Sequence, residues 1–175
     1  MPPTLIIDGY NLIRNSPALA QIDRQDIEEG REALISRLAE YRKIRRFPII
    51  VIFDGTGSYH LSSQGETRMG IKILYSHKGQ TADEFIISLA SQKGREMVVI
   101  TSDRGICDRL GKTDCLCVSA EEFDAKIDNA LYELYKGQSM EEEEDTDVGR
   151  ARRKKGASKR LPKKLRRQRD ILRKL

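Results

Sequence analysis

The chain has 175 residues, 38% hydrophobic and 34% charged, which suits one soluble domain with a core and an appendage. Its longest purely apolar run, Ile49 to Phe53, is far too short to cross a bilayer, and Met1-Pro2-Pro3-Thr4 has none of the basic and apolar segments of a signal peptide. The expected location is the cytoplasm, away from membranes. The net charge of +5 conceals an asymmetry: from Arg150 onward there are 14 Lys or Arg and one acid, Asp170, whereas residues 1–149 hold 18 basic and 26 acidic residues.

In chain order, Thr4-Leu5-Ile6-Ile7-Asp8 reads as a buried first strand. A turn through Gly9 follows, then a long helix from about Ile27 to Ile44, where Ile27, Leu34, Ile35, Leu38 and Tyr41 recur at helical spacing and Pro48 marks a stop. Ile49-Ile50-Val51-Ile52-Phe53-Asp54 is a second strand, apolar enough for burial on both faces. The polar stretch Gly55 to Gly70 reads as a mobile loop. Ile71 to Tyr75 makes a third strand; Thr81-Ala82-Asp83-Glu84 opens a helix to about Lys93, and Met97 to Thr101 is a fourth strand. A short helix over Arg104 to Leu110, a fifth strand at Leu116 to Val118, and a helix from Ser119-Ala120-Glu121-Glu122 to about Tyr135 complete the series.

Strands alternating with helices imply right-handed crossovers and an α/β fold with a mainly parallel sheet of about five strands. The division expected is a folded domain over 1–137, an acidic linker over 138–149 and a basic tail over 150–175, disordered or helical. The sequence does not set the oligomeric state. Cys107, Cys115 and Cys117 are an odd count without an export signal, which argues against disulfides. A zinc site needs about four ligands, and no second Cys or His pair supplies them, so inert buried thiols are expected.

Parallel sheets bind ligands outside the carboxyl ends of their strands. The first, second and fourth strands end in Asp8, Asp54 and Thr101-Ser102-Asp103, and the helix near Thr81 adds Asp83. Singly, each has a structural explanation: Asp8-Gly9 and Asp54-Gly55 are turn dipeptides, and Asp103 sits where a helix cap belongs. Together, like charges at one edge repel unless a cation neutralises them, and a hard divalent ion, Mg²⁺ or Mn²⁺, suits an all-oxygen set. Glu84 reads as the far member of a capping box with Thr81, which leaves Asp83 to face the cluster; Asp108 faces elsewhere. Asn11 either orients Asp8 or a phosphate, or caps the following turn. Arg14, Arg68 and Lys72, like His60 and His77, read first as surface residues. Such a site favours phosphodiester hydrolysis, in which the ion polarises a phosphoryl oxygen and no protein nucleophile is required.

Asp8-Gly9-Tyr10-Asn11 after an apolar strand resembles the opening motif of NYN-domain proteins, specifically the YacP-like group of PIN-like ribonucleases. Phe53-Asp54, Thr81-Ala82-Asp83-Glu84 and Thr101-Ser102-Asp103 follow in the matching order, and the resemblance covers about residues 4 to 135. It implies a three-layer PIN-like (Rossmann-like) fold, Mg²⁺ or Mn²⁺ dependence and cleavage of RNA. It also implies that Asp8, Asp83 and Asp103 are the catalytic, metal-binding acids, with Asn11 and Asp54 in support.

The tail beyond Gly137 must be read by itself. Arg152, Arg153, Lys154, Lys155, Lys163, Lys164, Arg166 and Arg167 form dense basic runs that suit sequence-independent binding of RNA, including ribosomal RNA or the ribosome. Pro162 suits a helix start, with Leu165, Leu172 and Leu175 near one face. Two rival functions are weighed against the endoribonuclease. Phe53-Asp54-Gly55-Thr56 resembles a haloacid-dehalogenase-like phosphatase motif, but Ile52 stands where the nucleophilic aspartate belongs, which removes that reading. A non-catalytic RNA- or ribosome-binding adaptor with the same fold and tail remains the alternative.

Overall fold

The computed structural model describes residues 2–55, 65–77, 79–139 and 163–175, without the side chains of Lys93, Arg95 and residues 137–139, 163–165 and 167–169. In chain order the elements are β1 (Thr4–Asp8), α1 (Gly9–Asn15), α2 (Pro17–Asp23), α3 (Ile27–Arg45), β2 (Ile49–Phe53), β3 (Glu66–Arg68) and β4 (Ile71–Tyr75). There follow α4 (Ala82–Lys93), a 3₁₀ turn (Gly94–Glu96), β5 (Met97–Ile100), α5 (Arg104–Leu110), β6 (Leu116–Val118), α6 (Ala120–Ser139) and α7 (Lys163–Lys174).

The strands form one sheet in the order β3-β4-β2-β1-β5-β6, parallel except for β3. Alternate residues of each strand enter opposite layers. Leu5, Ile7, Val51, Phe53, Ile71 and Ile73 pack with Leu12, Leu34, Leu38 and Phe123 on one side. On the other, Ile6, Ile52 and Val99 meet Ile86 and Ala90 of α4 and Ile106 and Leu110 of α5. Helices therefore cover both faces, the reason β1 is apolar at every position but its ends and β2 at every position. The α/β class and its three layers are as the alternation of elements implied.

Several local expectations change. The sheet has six strands, because part of the presumed Gly55–Gly70 loop is β3. That strand is exposed at every residue and carries no apolar alternation; it exists through pairing with β4 across a turn in which Met69 (φ 52°) and Gly70 (φ 79°) are both left-handed. Residues 56–64, including His60, lie outside the described residues. The segment after Asp8 is two seven-residue helices rather than a turn and a connection. Elements that short show barely two turns of periodicity, and Pro17, which suggests a break, begins the second one. Cys107 and Cys117 are joined by a disulfide across a Cα–Cα distance of 5.7 Å, which overturns the expectation of inert thiols for that pair; Cys115 is a buried thiol outside the disulfide.

The end of the chain is not a detached appendage. Helix α7 lays Ile171 and Leu172 against the core, Leu175 is buried beyond it, and the Tyr41 hydroxyl donates to the Leu175 main-chain oxygen at 2.7 Å. Lys126 Nζ reaches the Leu172 oxygen from α6. Leu172 and Leu175 thus share an inward face as their spacing implied, while the Leu165 side chain and residues 140–162, with Arg152, Arg153, Lys154 and Lys155, lie outside the described residues. Among the described residues no helix is long and apolar enough to cross a membrane.

Candidate active site

The order of the strands decides where a ligand can enter. From β1 the chain moves outward through β2 and β4, then returns across α4 to β5 on the other side of β1. The helix after β1 packs on one face and the helix after β5 on the opposite face, so a crevice opens at the carboxyl ends of β1 and β5, the switch point of the topology. A cavity of about 330 Å³ lies there, lined by Asp8, Tyr10, Asn11, Arg14, Asp54, Thr81, Ala82, Asp83 and Asp103. All four aspartates singled out in the sequence line it.

Each acid is placed by ordinary local structure. Asp8 ends β1 and caps α1: its Oδ1 accepts from the Asn11 amide at 3.2 Å, and its Oδ2 accepts from the Thr101 hydroxyl at 3.2 Å. Asp103 caps α5, with Oδ1 accepting from the Gly105 and Ile106 amides at 2.7 and 3.2 Å. Capping and lining the cavity are therefore not alternatives for these two residues. Thr81 and Glu84 form the foreseen capping box (Glu84 amide to Thr81 Oγ1, 3.2 Å), which leaves Asp83 on the cavity side. Asp54 Oδ1 accepts from the Ser76 hydroxyl at 3.0 Å, and the same hydroxyl accepts from the Gly55 amide at 3.0 Å.

Asn11 lines the cavity and also makes a contact that neither expectation named. Its main chain serves Asp8, while its side-chain Oδ1 accepts from the Ser102 amide at 2.8 Å and tethers α1 to the loop between β5 and α5. One amide thereby fixes the distance between the two halves of the cluster. Asp108 is exposed and absent from the lining, as expected. His77 packs its ring 5.8 Å from Phe85 and is also outside the lining. Arg68 pairs with Glu32, and Lys72 is exposed on β4.

The sequence reading missed the wall beside the acids. Arg31 is buried, donates from Nε to the Tyr10 hydroxyl at 2.8 Å, pairs with Glu28, and lies over the rings of Phe53 and Tyr75. Tyr10 in turn meets Phe53 edge-on at 5.1 Å. The exposed Arg14 guanidinium sits 5.8 Å from the Tyr10 ring centroid at the cavity rim. A signal existed for Arg31: it shares the helical spacing of Ile27, Leu34 and Leu38, so a cation falls on the apolar stripe of α3. Thr101 showed none beyond its place before Ser102-Asp103.

The electrostatics are those of crowded acids. Burial pushes the Asp8 carboxyl above its ordinary value; the Asn11 and Thr101 hydrogen bonds oppose this, and the charges of Asp83 and Asp103 add to it. Asp83 is also raised, first by desolvation and then by Asp103 and Asp54, with Arg109 offsetting part. Among the described residues no three His, Cys, Asp or Glu side chains stand close enough to hold one metal ion directly in this conformation. A hydrated Mg²⁺-like ion needs only one or two direct carboxylates and keeps several waters. An oxygen-rich cavity with mutually repelling acids fits that chemistry.

Comparison with known proteins agrees with the motifs. The chain is similar to the protein YacP of Bacillus subtilis, described as uncharacterized, with 32% identity over 102 residues, 57% of this chain and 59% of that one. The match thus spans less than two thirds of the relative. Two crystal structures of Rae1 (YacP) from Bacillus subtilis share the fold. One, of a mutant, has a TM-score of 0.66 at 24% identity over 82% of this chain and 86% of that one. The other scores 0.64 at 26% identity over 81% and 83%. The profile of the YacP-like NYN domain matches residues 5–173, so it runs through α7 and well past residue 135, where the recognisable motifs end. NYN domains are PIN-like, nuclease-type modules that generally bind RNA. This chain belongs to the YacP-like NYN domain family.

Proposed function

We propose that the protein is a divalent-metal-dependent endoribonuclease that hydrolyses RNA phosphodiester bonds in the aspartate-lined cavity, in the cytoplasm. The observation that carries this reading is the convergence of Asp8, Asp54, Asp83 and Asp103 on one cavity at the topological switch point. Carboxyls raised there first by burial and then by one another's charges cost stability, which a purely structural edge has no reason to retain.

Asp8, Asp83 and Asp103 would hold Mg²⁺ or Mn²⁺, with Asp54 and Asn11 in support. When bound, such an ion supplies Lewis-acid polarisation of the phosphoryl oxygen and compensates the charge that develops during displacement. The chain's own residues do the rest. Thr101 and the Asn11 amide fix both oxygens of Asp8, so that carboxylate enters the reaction already oriented. The Asn11–Ser102 tether holds Asp103 at a set span from Asp8. Arg14, steadied on the Tyr10 ring, supplies the cation that a phosphodiester needs if it is to enter an otherwise acidic cavity. The basic residues Arg152, Arg153, Lys154, Lys155, Lys163, Lys164, Arg166 and Arg167 hold RNA, whether messenger or ribosomal, through its backbone.

One observation favours the second reading, a non-catalytic RNA- or ribosome-binding adaptor: the absence of three ligating side chains around one point among the described residues. Incubation of the purified protein with single-stranded and structured RNA separates the two. Cleavage that stops in EDTA and returns with Mn²⁺ or Mg²⁺ is expected. Binding without cleavage of any RNA in either ion supports the adaptor, and cleavage that persists in EDTA refutes the metal mechanism.

A further inference from the structure

The amino ends of the strands carry a larger cavity than the aspartates do, about 770 Å³. Its charged lining residues are Arg45 and Arg46 at the end of α3 and Arg173 and Lys174 at the end of α7; Ile44 and Phe47 are among its apolar walls, and no acid among the described residues lines it. It also touches Pro3, just before β1. Asp8, at the other end of that strand, is about 17 Å away at roughly 3.3 Å per residue. This is a separate place on the molecule, and it exists only because α7 docks.

Cations at helix ends have a structural explanation, since they offset the macrodipole. The amounts do not match here. Two helix ends bring roughly half a negative charge each, and Glu133, 3.3 Å from Arg45 Nη2, brings one more. Among the described residues the four cations outweigh these charges. Arg46, Arg173 and Lys174 are exposed and make no ion pair among the described residues. Arg45 Nε is buried without a hydrogen-bond partner among the described residues. Arg46 moreover occupies the left-handed position that closes α3, with φ 56°, where glycine or asparagine is usual.

We infer that this cavity is a second polynucleotide site: it takes backbone phosphates of an RNA strand whose scissile bond lies at the aspartates. Guanidinium forks match phosphate oxygens in pairs, and the apolar walls strengthen those contacts. The inference rests on RNA being the substrate. It assigns to α7 a role different from that of a loose basic tail: α7 completes a pocket that holds the strand away from the cut.

The test is fluorescence anisotropy with a labelled single-stranded RNA of about 20 nucleotides, longer than one fold's usual site, in EDTA so that nothing is cleaved. Arg46→Glu/Arg173→Glu is compared with Arg24→Glu/Lys112→Glu, an equal charge change at exposed positions elsewhere. The first pair is expected to weaken binding at least tenfold and to flatten the salt dependence by about 1.4, near 0.7 for each of two lost phosphate contacts. The control pair is expected to stay within twofold of wild type. Circular-dichroism melts check folding, and Arg46→Gln/Arg173→Gln, which preserves bulk, is the fallback and is expected to lose affinity in the same direction. Equal losses in test and control pairs, or none in the test pair, overturn the proposal. So does displacement of the RNA from this cavity by millimolar ATP or pyrophosphate, which would mark it as a free-nucleotide site. Cleavage with Mn²⁺ is read in parallel: Arg24→Glu/Lys112→Glu should retain it, whereas a wild-type protein that neither binds nor cuts RNA defeats the ribonuclease reading itself.

Discussion

Gly9 shows how closely the motif is tied to the site. A Cβ built on Gly9 would lie 2.3 Å from Phe53 Cε1, 2.6 Å from Cδ1 and 2.9 Å from Cζ, where ordinary contact begins near 3.4 Å. Phe53 cannot step aside, because it is 1% exposed and held by Tyr10, by Tyr75 at 6.0 Å and by the Arg31 guanidinium at 5.5 Å. Relief in Gly9→Ala must come from the junction of β1 and α1, which carries Asp8 and Asn11. Overpacking of this kind costs about 1–3 kcal/mol, or roughly 2–12 °C in Tm for a chain of this length. RNA cleavage should fall by more than the folded fraction, since the shift passes directly into the cavity. Thermal melts of Gly9→Ala, Phe53→Leu and the double variant test the cause: if the clash is with Phe53, the double variant costs less than the two singles together. Additive losses, or a neutral Gly9→Ala, would refute the steric account.

The other predictions concern the end of the chain, the acids and the thiols. Tyr41→Phe removes a buried hydrogen bond to the Leu175 oxygen and should cost about 1 kcal/mol in urea unfolding; Leu175→Ala, at a site 3% exposed, should cost about 2 kcal/mol or more. Unchanged midpoints would mean that α7 does not dock. Asp8 and Asp83 are raised above their ordinary values, so the stability they contribute is full below their unfolded values and is lost as pH rises through the folded ones. In EDTA, Asp8→Asn should therefore gain stability over wild type as pH goes from about 4 to 7, and parallel melting curves would contradict this. Protein purified without reductant and then denatured should show one reactive thiol, Cys115, and three after reduction; three at the outset would remove the disulfide.

The sheet and the acidic cluster were legible because both depend on signals that lie next to one another along the chain. β1, β2 and β5 carry apolar runs, which an aspartate follows at once in β1 and β2 and after Thr101-Ser102 in β5. Parallel pairing then delivers those aspartates to one edge whatever the loops do. What escaped depends on contacts between distant segments. β3 is a strand only because β4 offers its edge. Tyr10 acquires its place from Arg31, 21 residues away. The return of α7 rests on Leu172 and Leu175 finding α3 and α6, and no local pattern names that partner.

The central claim is that Asp8, Asp83 and Asp103 work as one hydrolytic site. Single-turnover cleavage of a defined RNA by wild type, Asp8→Asn, Asp83→Asn and Asp103→Asn, with RNA affinity measured alongside, tests it most directly. The account predicts that each substitution lowers the cleavage rate at least about a hundredfold, and that combining two adds little further loss, as for residues that act as a unit, while affinity changes less than a few fold. A wild-type cleavage rate in any one of the three would contradict it.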